Sequence, residues 1–169
     1  MVVTVSERKT SSGSQLLLIV APLDIVHQGV VYEHIPPHLT VLPWFELPNS
    51  RWSAFTEGME ELVIEERLSN VKGARAARYG QYGTLPVREL CGELLGVHAH
   101  ALNLVKWLGC TVDPMYTGHN YSPHVSDKPE RVIAEGEPID FPGLAVFRKE
   151  AGLKQVAEFY PWPEATRED

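Results

Sequence analysis

Cysteine is scarce in this chain: only Cys91 and Cys110 occur in 169 residues. Two thiols cannot carry a disulfide framework, and their number suits a reducing compartment, with a single bridge left open as the alternative. Long hydrophobic runs are missing as well. No stretch approaches the ~20 apolar residues that span a bilayer. The apolar residues 16–23 are too few, stop at Asp24 and lack a small-residue cleavage site, so they read as a buried strand rather than a signal peptide. A cytoplasmic location with no membrane partner is the expectation. Positive charge is in deficit, with 15 Lys and Arg against 22 Asp and Glu and a formal net charge of −7. That balance disfavours sequence-blind binding to long double-stranded nucleic acid. It leaves room for a small phosphate-bearing substrate, which needs only a few local cations and hydrogen-bond donors. No short-period repeat or low-complexity tract is present.

What is there reads as a folded domain, with 44% hydrophobic and 22% charged residues. The length fits one domain, or two small lobes sharing a core. Residues 1–14 are mostly polar and are expected to form a flexible arm, 15–162 the domain, and 163–169 a tail. Residues 15–21 predict a first strand ended by Pro22 and Asp24. Residues 32–48, interrupted by Pro36, Pro37, Pro43 and Pro48, are extended, because prolines at that density exclude a helix. Trp52, Phe55, Met59, Leu62 and Val63 then recur at helical spacing opposite a glutamate-rich face, with Asn49 or Ser50 available as the cap. Strand-like pieces follow over 71–90. A second helix over about 91–108 carries Leu94, His98, Ala101, Leu102, Val105 and Leu108 on one stripe, and Gly109 ends it. Strands are expected at 121–127, 131–134, 144–149 and 156–160. Strands, a helix and strands thus occur twice, which predicts an α+β fold: bilobal and duplicated, with antiparallel sheets lining a central cleft and helices outside.

Each half contains one short phrase, Pro37-His38-Leu39-Thr40 and Pro123-His124-Val125-Ser126. The strand period of two puts histidine and hydroxyl on one face and the apolar residue on the other. Two such strands side by side would present two imidazoles and two hydroxyls to one small anion. That set suits phosphodiester cleavage. One imidazole takes a proton from the attacking water, the other donates to the leaving oxygen, and the hydroxyls hold the non-bridging oxygens. The pattern His-any-Ser/Thr arises by chance roughly 0.7 times in a chain of this composition. The weight therefore lies in the shared context: a preceding proline, an apolar middle residue, an extended setting and one copy per half.

Other histidines read differently. His34 and His38 are four apart, but Pro36 and Pro37 destroy the helical geometry a zinc pair would need. His98 lies on the apolar stripe and reads as a packing residue. His119, Tyr116 and Tyr121 precede or flank the second phrase and are candidate substrate contacts, the tyrosines as stacking faces for a base. Trp44 and Phe45 fit the core at least as well as a base-stacking role. Lys72, Arg75 and Arg78 read as solvated charge.

Over residues 15–160 the chain resembles the 2H (two-histidine) phosphoesterases, which include RNA 2',3'-cyclic phosphodiesterases and proteins labelled 2'-5' RNA ligase. The resemblance rests on the two phrases, on Lys72-Gly73-Ala74-Arg75-Ala76-Ala77-Arg78-Tyr79-Gly80 with Leu85-Pro86-Val87, on the helix containing His98, and on Tyr121-Ser122-Pro123. It implies a bilobal fold with one catalytic strand per lobe and catalysis by His38, Thr40, His124 and Ser126 without metal or cofactor. Ser126 stands where threonine is commoner, Asp127 where an apolar residue usually continues the strand, and Lys128 near where many relatives carry an arginine, a cation for phosphate. The implied substrate is a small nucleotide, a cyclic or 2'-5' linked oligonucleotide, or an RNA end bearing a 2',3'-cyclic phosphate, handled by a monomer. Two alternatives remain: destruction of cyclic-oligonucleotide immune signals, as some viral relatives perform, and a catalytically silent RNA- or phosphate-binding module.

Overall fold

The computed structural model describes residues 13–164; most of the expected arm and tail lies outside them. Over the described residues the fold is α+β, built from eight antiparallel strands and two α-helices. The strands are β1 (Ser14–Pro22), β2 (Val31–Tyr32), β3 (His38–Pro48), β4 (Ser69–Tyr79), β5 (Leu85–Glu93), β6 (His124–Ser126), β7 (Gly143–Glu150) and β8 (Leu153–Pro161). The helices are α1 (Trp52–Glu65) and α2 (Leu95–Trp107). All strands hydrogen-bond into one sheet of order β2-β8-β7-β1-β3-β6-β5-β4. The strands around the two halves join because β3 pairs with β6, Leu39 opposite Val125.

Alternation along the strands sorts the side chains onto two faces. Leu17, Ile19, Leu39, Val41, Val125, Leu144 and Val146 turn to the face covered by both helices, where Phe55, Met59, Leu62, Val97, Ala101 and Val105 complete the main core. The intervening residues Leu18, Val20, Ala145 and Phe147 form a smaller cluster on the opposite face, packed by Tyr32, Ile35 and Trp44. The segment between β1 and β3 therefore folds back over the helix-free face. Among the described residues, no helix is long and apolar enough to cross a membrane.

The helices follow their patterns with two departures. A turn of 3-10 helix, Asn49–Arg51, precedes α1, so Arg51 occupies the cap position and no side chain caps the helix. The start of α2 lies at Leu95, because Cys91 and Glu93 pair with Lys72 and Ser69 in the sheet. Gly92 between them has φ +129°, and a Cβ there would sit 2.4 Å from Asn70 O, so the backbone is committed to the strand. At its far end α2 closes in a Schellman motif: Gly109, at φ +81°, donates from N to Lys106 O, and Cys110 N donates to Val105 O.

Residues 131–134 do not form the expected strand. Arg131 makes an isolated bridge with Lys128 and an ion pair with Glu137. The Ile133 carbonyl accepts from Arg88 Nε at 2.9 Å, and Ala134 N donates to Glu137 Oε1. Two of the backbone groups that a ladder would use are thus taken by side chains. The same crossing brings its backbone onto Gly73, where a Cβ would lie 2.2 Å from Ala134 O. Gly73→Ala is accordingly expected to cost about 1–3 kcal/mol, the scale of overpacking a close contact, read as a shift of the urea midpoint. A wild-type midpoint would contradict the close approach.

Candidate active site

The β3–β6 pair sets the site. With Leu39 opposite Val125 in an antiparallel ladder, His38 falls opposite Ser126 and Thr40 opposite His124. Leu39 and Val125, at 1% and 2% exposure, point into the helix-covered core. The four polar side chains therefore share the helix-free face, with the two histidines on one diagonal and the two hydroxyls on the other. Diagonal neighbours of this kind lie about 7–8 Å apart, a separation that leaves room for one phosphate between the rings.

Both imidazoles are anchored alike. His38 Nδ1 donates to Pro36 O at 2.8 Å, and His124 Nδ1 donates to Ser122 O at 2.8 Å. A carbonyl can only accept, so in each neutral ring the proton sits on Nδ1 and Nε2 is the unprotonated nitrogen. In each case the carbonyl lies two residues back, across the proline that precedes the histidine.

The rings differ in their surroundings. Burial pushes the pKa of His38 down from 6.5 to about 4; the Pro36 carbonyl opposes this, and the positive charges of Lys128 and His124 add to it. That the charge of His124 is felt at His38 agrees with the diagonal placement. His124 instead borders β5, directly opposite Glu89. The edge of its ring meets Tyr79, with centroids 4.6 Å apart at 87°. Tyr79 donates its hydroxyl proton to Glu89 Oε1 at 2.8 Å and lies 2.6 Å from Ser122 Oγ. Arg75 Nε holds the other oxygen of Glu89 at 2.7 Å. The bonds from Arg75 and then Tyr79 keep the Glu89 carboxyl below the usual carboxylate range, so it is an anion beside His124.

A pocket of about 360 Å³ opens on the His38 side, lined by His34, Ile35, His38, Thr40, Trp44, Lys128 and Lys154 among others. Of the substrate contacts expected from the sequence, Lys128 lines this pocket. Tyr121 does not: its hydroxyl donates to Thr40 O at 2.8 Å and its ring lies flat on His98, centroids 3.7 Å apart and 3° from parallel. Its hydroxyl and one ring face are thus engaged with β3 and α2. Tyr116 and His119 are exposed in the loop before β6 and do not line this pocket.

His98 is the packing residue the stripe predicts, with a definite task. Its Nδ1 donates to Val41 O at 2.7 Å and its Nε2 accepts from Gly118 N at 3.0 Å, so it is held neutral, and burial lowers its pKa. Phe45 is core, whereas Trp44 packs in the smaller cluster and lines the pocket. Arg75 is paired with Glu89 rather than merely solvated. Cys91 and Cys110 are free thiols. Among the described residues, no three His, Cys, Asp or Glu side chains gather as a metal-binding group. Sequence reasoning missed Tyr79, Glu89 and Lys154. The alternation of Arg75, Ala77 and Tyr79 along one strand was the one available signal, and it pointed to Tyr79 alone. No protein-family model matches the chain, and no curated protein matches its sequence.

Proposed function

We propose that this protein is a metal-independent phosphodiesterase of the two-histidine type, acting on a nucleotide or RNA phosphodiester: a 2',3'-cyclic phosphate, a 2'-5' linkage or a cyclic oligonucleotide. The observation that carries the reading is the Leu39–Val125 pairing, which sets His38, Thr40, His124 and Ser126 on one face with both rings held through Nδ1. The resemblance of the two phrases to the 2H phosphoesterases supports it. So does the local duplication, in which each histidine is tied to the carbonyl two residues before it. In this reading each phrase belongs to one lobe of a duplicated fold, and the β3–β6 junction is the floor of the cleft between them.

The unlike surroundings divide the labour. His38 is half-buried and its lowered pKa keeps it neutral near pH 7, so its Nε2 is the acceptor for the proton of an attacking water. As the water oxygen bonds to phosphorus, the ester P–O bond on the opposite side breaks. His124 Nε2 supplies the proton that the departing oxygen needs, with the Glu89 anion beside it to support its positive charge. Thr40 and Ser126 donate hydrogen bonds to the non-bridging oxygens, where the reaction must hold negative charge. The second product leaves as an alcohol and the first keeps a phosphate monoester.

The test is an assay of the purified protein against 2',3'-cyclic mononucleotides, 2'-5' oligoadenylates and cyclic di- and trinucleotides, with a chelator present. Cleavage that persists in chelator and vanishes in both His38→Ala and His124→Ala supports the enzyme. Cleavage abolished by chelator would mean a metal-dependent reaction, and tight binding without turnover would mean a silent binding module.

A further inference from the structure

The pocket beside His38 holds two cations that the four-residue site does not use. Lys128 follows β6 and Lys154 lies on β8, yet both reach the same loop: Lys128 Nζ donates to Ile35 O and Lys154 Nζ donates to Glu33 O at 2.8 Å. Each ammonium carries three donors, so one bond to a carbonyl fixes its position and leaves two donors for a ligand. Neither lysine joins a salt bridge among the described residues. Both are half-buried and both line the pocket with His38 and Thr40. The other flank has the opposite sign, since Glu89 lies beside His124. In a chain of net charge −7, two unpaired cations fixed in one cavity form a local positive field that attracts an anion.

We propose that this pocket is an anion subsite that takes a second phosphate group of the substrate, on the His38 side of the scissile phosphorus, with Lys128 and Lys154 as its ligands. The preferred substrate class then carries at least two phosphates, a dinucleotide or longer oligonucleotide rather than a cyclic mononucleotide. The inference rests on the phosphodiesterase reading only for the place of the scissile phosphate. Two charge-assisted bonds to one phosphate correspond to a preference of about tenfold or more.

The experiment compares three ligands on the full chain: a 2'-5' linked diadenylate with no end phosphate, with one at the 5' end, and with one at the 2' end. Affinity is measured by calorimetry at low salt, and turnover is followed separately by chromatography. One of the end-phosphorylated forms is expected to bind about tenfold more tightly than the plain dinucleotide. Lys154→Met should bring that ratio close to one, and Lys154→Arg should keep it, with circular dichroism and melting curves reporting the fold of each variant. Equal affinity for all three ligands, a preference that survives Lys154→Met, or no binding at all overturns the subsite. Failure to cleave any ligand is read on the turnover arm and counts against the phosphodiesterase instead, while the affinity ratios still decide the subsite.

Discussion

His38→Ala is expected to lower kcat/KM by about 10²–10⁴-fold, the usual contribution of a positioned general base. The acid limb of the wild-type kcat/KM profile should lie near pH 4, because His38 must lose its proton to act and its pKa is held near that value. The cause is checkable in the same measurement. Burial is the largest influence and the charge of Lys128 a smaller one. Lys128→Met should therefore move the acid limb upward, though not back to 6.5. A limb at 6.5 in the wild type would mean that His38 is not the buried base. Stability offers an independent reading. The unfolded chain binds a proton on His38 below about 6.5, while the folded protein resists it until about 4. Unfolding therefore takes up protons between those values. The stability that His38 contributes is complete above about 6.5 and is lost as pH falls through 4. His38→Ala should flatten that part of the stability–pH curve, measured by urea unfolding.

The sequence made the site's four residues legible because their relation is local. A period of two along a strand puts residue i and i+2 on one face whatever the fold, and His38 with Thr40, or His124 with Ser126, needs nothing more. What joins the two phrases is a hydrogen-bonded pair 86 residues apart, Leu39 with Val125, and only the likeness of the phrases hinted at it. Residues 131–134 show the limit of local pattern. Val132 and Ile133 look like strand residues, yet a strand needs a free partner edge, and the Ile133 carbonyl is taken by Arg88. The start of α2 failed for a related reason: Cys91 fits a helix by composition, but its pairing with Lys72 holds it in the sheet. Glu89 and Lys154 were invisible because a lone charge on a strand carries no sign of what it will face. Their placement beside His124 and in the His38 pocket comes from strand order, which no single segment encodes.

His98→Ala is expected to destabilise the protein by about 3 kcal/mol or more and to lower activity even where the variant is fully folded. The ring is 3% exposed, and its removal leaves a cavity together with two buried backbone groups without a partner, Val41 O and Gly118 N. Large aromatic truncations and unsatisfied buried groups each cost on the order of 1–5 kcal/mol. The effect on activity follows from what His98 connects. Val41 is the residue after Thr40 on β3, Gly118 lies in the loop that leads to β6, and the stacked Tyr121 donates its hydroxyl to Thr40 O. One neutral imidazole thus ties α2 to both histidine-bearing segments, although it stands on the far side of the sheet backbone from the pocket beside His38. A misplacement of about 1 Å is enough to cost a large factor in rate, so kcat should fall more than KM rises. Tyr121→Phe isolates the outer part of this link, since it keeps the stack and removes only the bond to Thr40 O. It should lower kcat by a smaller factor than His98→Ala and leave the melting temperature closer to wild type. If His98→Ala melts early but turns over at the wild-type rate at low temperature, the clamp serves stability alone and the two catalytic strands hold their register without it.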